Sequence, residues 1–352
     1  MTRQYITLIF LACLQIFSIK NVWADNLDEG VKAMAINDYA RAFELWLPMA
    51  RNGEKKAQHN LGLMYNNGWG VMQNFAQAMK WYRLAAEQNY MESQNNIGVL
   101  YEQGLGVNTD YAEALKWYQL AATQGFAEAQ YNLGTLYYSG KGIERDFSKA
   151  REWYALAADQ GQSDAITNLG IMYQVGQGVT QDYNKAFRLY EQAAKKNNKA
   201  AQYNLGILYR DLLTDNTTAI KLFRLSAEQG FATAETEMGN LYLKGQGVLQ
   251  STLEAEKWFR LAANQGDKAA QYQLGIMLFN GDGVNKNPME AGKWFKLAAL
   301  QGNVDAANIL GLFSETGDLI TAKNPDEAVK FFQLGKKYGL NMPQPKTASE
   351  TH

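Results

Sequence analysis

A glycine that follows an apolar residue returns along the chain at a nearly constant interval, and this interval restricts the possible folds more than any other feature. The eight glycines are Gly62, Gly98, Gly134, Gly170, Gly206, Gly239, Gly275 and Gly311. Successive members lie 36 residues apart, except for the 33 residues between Gly206 and Gly239. Repeats of this length are typical of solenoids, in which one helical hairpin cannot bury its apolar face alone and stacks on its neighbours.

Each repeat is expected to form two helices joined by a glycine turn. In residues 127–162, apolar side chains recur at helical spacing on both sides of a Gly-Lys-Gly turn at 140–142. Asp146 can cap the second helix. Gly134 lies in the apolar face of the first helix, where alanine would be favoured by about 1 kcal/mol. We therefore expect another helix to approach the backbone closely at this glycine.

The second helix repeats an aromatic pair that is followed by a pair of alanines. The aromatic pairs are Trp81-Tyr82, Trp117-Tyr118, Trp153-Tyr154, Trp258-Phe259 and Trp294-Phe295. Large rings at fixed offsets from alanines and glycines predict that rings insert between small residues of neighbouring helices. The tryptophans are therefore expected to be core residues.

Together these residues resemble the Sel1-like repeat, a relative of the tetratricopeptide repeat. The first-helix signature occurs as Ala57-Gln58-His59-Asn60-Leu61-Gly62 and again at 129–134, followed by the turn and the aromatic pair. The resemblance implies an all-α fold, a right-handed α/α superhelical solenoid of helical hairpins. A capping hairpin is expected at 25–54 and a disordered tail at 339–352. The eight repeats are expected at about 55–90, 91–126, 127–162, 163–198, 199–231, 232–267, 268–303 and 304–338.

The first 24 residues are typical of a cleavable export signal. Arg3 precedes about fifteen mostly apolar residues, and Val22-Trp23-Ala24 offers a cleavage site after Ala24. The apolar run is short for a membrane span. An uncleaved anchor is the alternative, and a lipoprotein signal at Cys13 is disfavoured by Phe10. We therefore expect an exported chain, periplasmic or secreted, without a stable membrane span after cleavage.

Groups that perform catalysis or bind metals are scarce in this sequence. The 34 basic and 35 acidic residues give no indication of nucleic-acid binding. The two histidines are His59 and the terminal His352, and the single cysteine lies in the export signal. No nucleophile elbow or phosphate-binding loop occurs. We therefore predict a protein without catalytic residues, cofactor or metal, in which His59 is a partly exposed helix residue.

Residues that vary at one structural position indicate where a partner could bind. By analogy with tetratricopeptide repeats, the first helices line the concave surface, and the residues three before and four after each glycine point into it. Aromatic residues and arginine contribute most to interface energies. The predicted partner-binding residues are Tyr131, Tyr138, Tyr203, Arg210, Tyr272 and Phe279. The alternative is that these side chains only pack against the adjacent repeat.

The fifth repeat, 199–231, departs from the others. It is three residues short and has lost both glycines of the turn. A shorter turn should alter the angle between successive hairpins, so we expect a change of curvature through residues 200–240.

The resemblance also bears on function, because proteins of this family often act as adaptors in envelope assembly, signalling, or contact with host cells during virulence. It implies a non-catalytic scaffold that binds another protein in the bacterial envelope or at the host-cell interface. The alternative is an envelope enzyme or peptidoglycan-associated protein resembling Sel1-type β-lactamase-like proteins. The paired cysteines of those proteins are missing from the mature chain.

Overall fold

The computed structural model describes residues 25–316 and the isolated positions 333 and 337, and the secondary structure in this part of the chain is helical. A first helical stretch covers residues 25–35. The helices that follow are α1 (Tyr39–Arg51), α2 (Lys55–Asn67), α3 (Phe75–Ala86), α4 (Met91–Gln103), α5 (Tyr111–Thr123), α6 (Ala127–Ser139), α7 (Phe147–Asp159), α8 (Ser163–Val175), α9 (Tyr183–Lys195), α10 (Lys199–Asp211), α11 (Asn216–Glu228), α12 (Ala232–Lys244), α13 (Thr252–Asn264), α14 (Lys268–Asn280), α15 (Pro288–Leu300) and α16 (Val304–Thr316).

These helices form two compact bodies, one ending at Asp182 and the other beginning at Tyr183. In the first body, helix α2 packs against α3 of its own hairpin and against α1 of the preceding one. The second body repeats this arrangement, since α12 packs against α13 and against α11. The predicted all-α class, built of helical hairpins stacked in sequence order, is therefore confirmed within each body. The expected export signal at 1–24 and the tail at 339–352 lie outside the described residues.

The repeated glycine allows a ring of the second helix to contact the backbone of the first. A Cβ atom at Gly134 would lie 2.7 Å from Cδ1 of Tyr154, closer than nonbonded carbon atoms approach. Tyr154 is almost fully buried. The expected packing reason for Gly134 is confirmed, and the side chain that requires it is the second member of the aromatic pair. The first member, Trp153, is half-buried and packs against the core that α5 and α6 form together.

Buried side-chain amides connect several of the hairpins to the hairpin that precedes them. The Gln130 amide nitrogen donates to the carbonyl of Ala122 in the preceding hairpin, at 3.2 Å. Its amide oxygen accepts a hydrogen bond from Gln160 of its own hairpin, at 2.8 Å. Buried amides of this kind stabilise the stack only when they are paired. Where the fourth residue of a first helix is glutamine, its side chain thus has a structural role in the stack.

Candidate protein-binding surface

Each of the six predicted partner-binding residues lies on the first helix of a hairpin and is half-buried. Tyr131 and Tyr138 lie on α6, in the first body. The other four lie in the second body, in two pairs on α10 and α14; they are Tyr203, Arg210, Tyr272 and Phe279. Each pair is separated by seven residues, or two helical turns, so its members lie on one side of their helix.

In the first body, both tyrosines contact the buried ring of the second helix. The ring centroids of Tyr131 and Tyr154 are 5.9 Å apart, and burial raises the pKa of the Tyr131 phenol. Tyr138 is 5.3 Å from Phe147 in an edge-to-face arrangement and 6.4 Å from Tyr154. Its hydroxyl donates to Oε1 of Gln177, at 2.6 Å. The two side chains are therefore fixed in position on one face and leave part of their surface to solvent.

In the second body, Tyr203 and Tyr272 repeat the arrangement of Tyr131. Tyr203 lies 5.6 Å from the ring of Phe223 and 5.5 Å from that of Phe231. Tyr272 lies 6.1 Å from Phe295. Burial raises the pKa of both phenols, so they stay neutral at physiological pH. These contacts are with rings of the same repeat; they account for the buried side of each tyrosine and do not use its exposed side.

Arg210 takes the place of Tyr138 in the shortened fifth repeat. Its guanidinium forms ion pairs with Asp211 and with Glu237 of the next hairpin, each at 2.7 Å. The guanidinium carbon lies 5.6 Å from the ring centroid of Phe223, in a cation–π arrangement. The hydrogen bond to Asp211 is the main reason that the pKa of Arg210 is raised. Beside it lies a cavity of about 390 Å³, which the sequence alone did not reveal.

Phe279 lies beside a cation of the following turn. The ammonium group of Lys286 is 5.8 Å from the centroid of the Phe279 ring. The ring is half-buried, with Leu278 beside it in the core. Phe279 therefore resembles the tyrosines in having one packed side.

A second apolar surface was missed by the sequence analysis. The residue two positions after the buried ring of the second helix is a leucine in most repeats, and between 42% and 49% of its surface is exposed. These leucines are Leu84, Leu120 and Leu156 in the first body, and Leu225, Leu261 and Leu297 in the second. Their 36-residue recurrence was visible in the sequence, but recurrence alone does not separate a core position from an exposed one.

His59 is a buried residue, and the expectation that it would be partly exposed is wrong. Only 9% of its surface is accessible, and its Nδ1 lies 2.8 Å from Oγ of Ser93. Burial lowers the pKa of His59 to about 4, so the imidazole is neutral at physiological pH. The first-helix position that holds tyrosine in other repeats thus holds a packed, uncharged ring here.

No group of three or more His, Cys, Asp or Glu side chains among the described residues is placed to hold a metal ion. None of the helices described is both long and apolar enough to cross a membrane.

Comparison with known proteins identifies the repeat. The Sel1 repeat model matches residues 27–54, 55–90, 92–126, 127–162, 163–198, 199–231, 232–267, 268–303 and 304–337. A Sel1 repeat protein from Oxalobacter formigenes is 31% identical, with a TM-score of 0.63, over 68% of this chain and 99% of that one. A protective antigen present in uropathogenic Escherichia coli strains, which has an SLR fold, is 30% identical over 94% of this chain and 88% of its own, with a TM-score of 0.47. None of the curated proteins matches the sequence. Because the repeat model covers nearly all of residues 27–337, the chain belongs to the Sel1 repeat family.

Proposed function

We propose that this chain is an exported, non-catalytic scaffold that binds another protein in the bacterial envelope or at the host-cell interface. Membership of the Sel1 repeat family supports a scaffold, because proteins built of these repeats generally bind other proteins and do not catalyse reactions. The charged start, apolar run and Val22-Trp23-Ala24 site of the N-terminal segment support export.

The observation that carries the proposal is the repeated, half-exposed tyrosine of the first helix. Tyr131, Tyr203 and Tyr272 each have one face against a buried ring of the second helix. A side chain that is already fixed loses little conformational entropy when a partner covers its other face. Tyrosine also offers a large apolar area and a hydroxyl in one rigid group. These three residues are therefore the best anchors for a partner.

The binding test compares two surfaces of the same molecule. The protein would be crosslinked in cells and its partner recovered with the wild type, with Tyr131, Tyr203 and Tyr272 changed to alanine, and with Leu120, Leu156 and Leu261 changed to alanine. We expect the tyrosine variant to recover at least tenfold less partner and the leucine variant to recover the wild-type amount. Thermal unfolding of both variants shows whether either has lost its fold. If a folded tyrosine variant recovers as much partner as the wild type, these three tyrosines do not form the binding surface.

Export has its own test. The intact mass of the protein purified after expression from the full sequence should correspond to a chain that begins at Asp25. A mass that retains residues 1–24 would contradict cleavage and favour an anchored form.

A further inference from the structure

Two aromatic rings fill the space between the third and fourth repeats in the first body. Tyr138, on α6, and Phe147, at the start of α7, have their ring centroids 5.3 Å apart. The Tyr138 hydroxyl reaches Gln177 in the next turn, and a Cβ at Gly178 would lie 2.8 Å from Cβ of Phe147. The next turn therefore contacts both residues, Tyr138 through its hydroxyl and Phe147 through its backbone and Cβ.

Neither ring is present at the corresponding place in the fifth repeat. Counting from Gly206, Arg210 stands at the position of Tyr138. Asn216, the first residue of α11, stands at the position of Phe147, and Gln246 at that of Gln177. The cavity of about 390 Å³ lies here, with Arg210, Asn216 and Gln246 among its lining residues. Two of its lining residues, Arg210 and Asn216, stand at positions that are aromatic in the third repeat. We name it the residue-216 cavity.

The hairpin that contributes Arg210 and Asn216 to this cavity has a shortened turn. Only residues 212–215 connect α10 to α11, whereas residues 140–146 connect α6 to α7. A Cβ at Gly247 would meet only the Ile220 side chain within 4 Å among the described residues, whereas one at Gly178 would meet the backbone of Phe147. Among the described residues, the turn at Gly247 thus approaches the Ile220 side chain and not the backbone at the start of α11.

The walls of the residue-216 cavity suit a phenol ring. Phe223, Ile220 and Leu241 provide apolar surface. The Arg210 guanidinium is fixed by Asp211 and Glu237 and can lie beside an aromatic ring. Gln246, an exposed residue, also lines the cavity, and its counterpart Gln177 accepts a hydrogen bond from a tyrosine hydroxyl.

We propose that the residue-216 cavity binds a tyrosine side chain presented by the partner protein. The ring takes the place that Phe147 fills in the third repeat and that Asn216 does not fill here, beside Arg210, and its hydroxyl donates to Oε1 of Gln246. A cavity of about 150 Å³ is enough for a benzene ring, so the available volume accommodates a phenol. This inference rests on the proposed function, because it assumes that a protein partner is present.

The direct test uses small probes and needs no partner. N-acetyl-tyrosinamide, with N-acetyl-phenylalaninamide for comparison, would be titrated into the full chain while the Ile220 and Leu241 methyl resonances are followed by NMR. We expect saturable shifts with the tyrosine probe and weaker binding of the phenylalanine probe. Absence of shifts at the solubility limit of the tyrosine probe would overturn the proposal.

Two variants make the test specific. Asn216→Phe supplies the missing ring from the chain itself, so binding of the tyrosine probe should fall at least tenfold while the protein stays folded. Gln246→Ala should retain ring binding and lose the preference for tyrosine over phenylalanine. Equal binding of the tyrosine probe by Asn216→Phe and the wild type would overturn the assignment of the site.

The proposed function and the cavity can fail separately. If the wild type and Asn216→Phe recover equal amounts of a crosslinked partner, the cavity does not receive that partner, although the scaffold function stands. If the tyrosine probe binds but no partner crosslinks, the cavity is a binding site and the proposed function is wrong.

Discussion

The third repeat, residues 127–162, and the fifth, residues 199–231, show what happens when this fold loses three residues. Both first helices and both second helices have 13 residues, so the deletion falls entirely in the turn. The regular turn begins at Gly140 in the left-handed conformation, whereas the short one begins at Leu212 in the right-handed conformation. The helices are therefore insensitive to turn length, and the consequences are confined to what the turn covers.

The two turns differ in how far their apolar side chains are buried. In the third repeat the loop after Gly140 forms a compact turn, with Ile143 packed on the core of the preceding hairpin. In the fifth, Leu212 and Leu213 are each more than half exposed. The short turn thus exposes apolar surface and, between its own hairpin and the next, leaves the residue-216 cavity. The predicted change of curvature through residues 200–240 remains a prediction.

Truncation of the buried ring of the second helix should cause the largest loss of stability in both repeats. Tyr154→Ala and Phe223→Ala each remove a ring with almost no exposed surface and should cost about 3–5 kcal/mol in unfolding free energy. We expect the lower value for Phe223→Ala, because Phe223 already borders a cavity and has fewer contacts to lose. Urea unfolding followed by circular dichroism measures both. An equal or larger loss for Phe223→Ala would mean that the fifth repeat is packed as tightly as the third.

Substitutions at the first residue of each turn should have smaller effects on stability, and the two effects should differ. Gly140 has a φ of 68°, and a Cβ there would lie 3.0 Å from Cβ of Arg145. Gly140→Ala should therefore cost about 1–2 kcal/mol. Leu212→Ala, at the equivalent helix end but in the right-handed conformation, should change stability by no more than about 0.5 kcal/mol. The same unfolding experiment applies, and similar losses for the two variants would show that the two turns are equally demanding.

The sixth repeat, residues 232–267, differs from the third at the side chain that links one hairpin to the next. Glu235 occupies the position of Gln130, is buried, and accepts a hydrogen bond from Gln265 at 2.7 Å. Burial is the main reason that the pKa of Glu235 is raised, because the charged form is poorly solvated there. Unlike Gln130, an ionised Glu235 cannot donate to the carbonyl of the preceding hairpin.

Glu235→Gln should therefore stabilise the protein by about 1 kcal/mol at neutral pH. The folded-state pKa lies above the unfolded value, so the stability of the wild type is highest relative to the variant below the unfolded pKa. This relative stability is lost as the pH rises through the folded pKa. Thermal unfolding of both proteins from pH 4 to pH 8 tests this. A difference that is independent of pH would exclude ionisation of Glu235 as its cause.

The sequence predicts the repeat well because each hairpin packs against the hairpin before it and the hairpin after it, which requires the same residue types at the same positions. The 36-residue interval gives the hairpins, and Gly134 correctly predicts a close helix contact. His59 was misplaced because a polar residue on a helix face gives no indication that Ser93, in the next repeat, will pair with it. The residue-216 cavity could not be found from Arg210 alone. Three differences from the third repeat coincide there, namely the short turn, the loss of a ring at residue 216, and an arginine in place of tyrosine.

The smallest expected effect lies inside the short turn itself. Thr214 has a φ of 54°, which is unfavourable for a β-branched residue, and it lies outside the helices of the fifth repeat. Thr214→Gly removes this strain but adds conformational freedom to the unfolded chain, so a net gain of about 0.5 kcal/mol is expected. Thr217→Gly, in the first turn of α11, is the matched control and should be destabilising, since glycine weakens a helix. If Thr214→Gly also destabilises, then contacts of the Thr214 side chain stabilise the short turn, and the fifth repeat has replaced the lost glycines with interactions of its own.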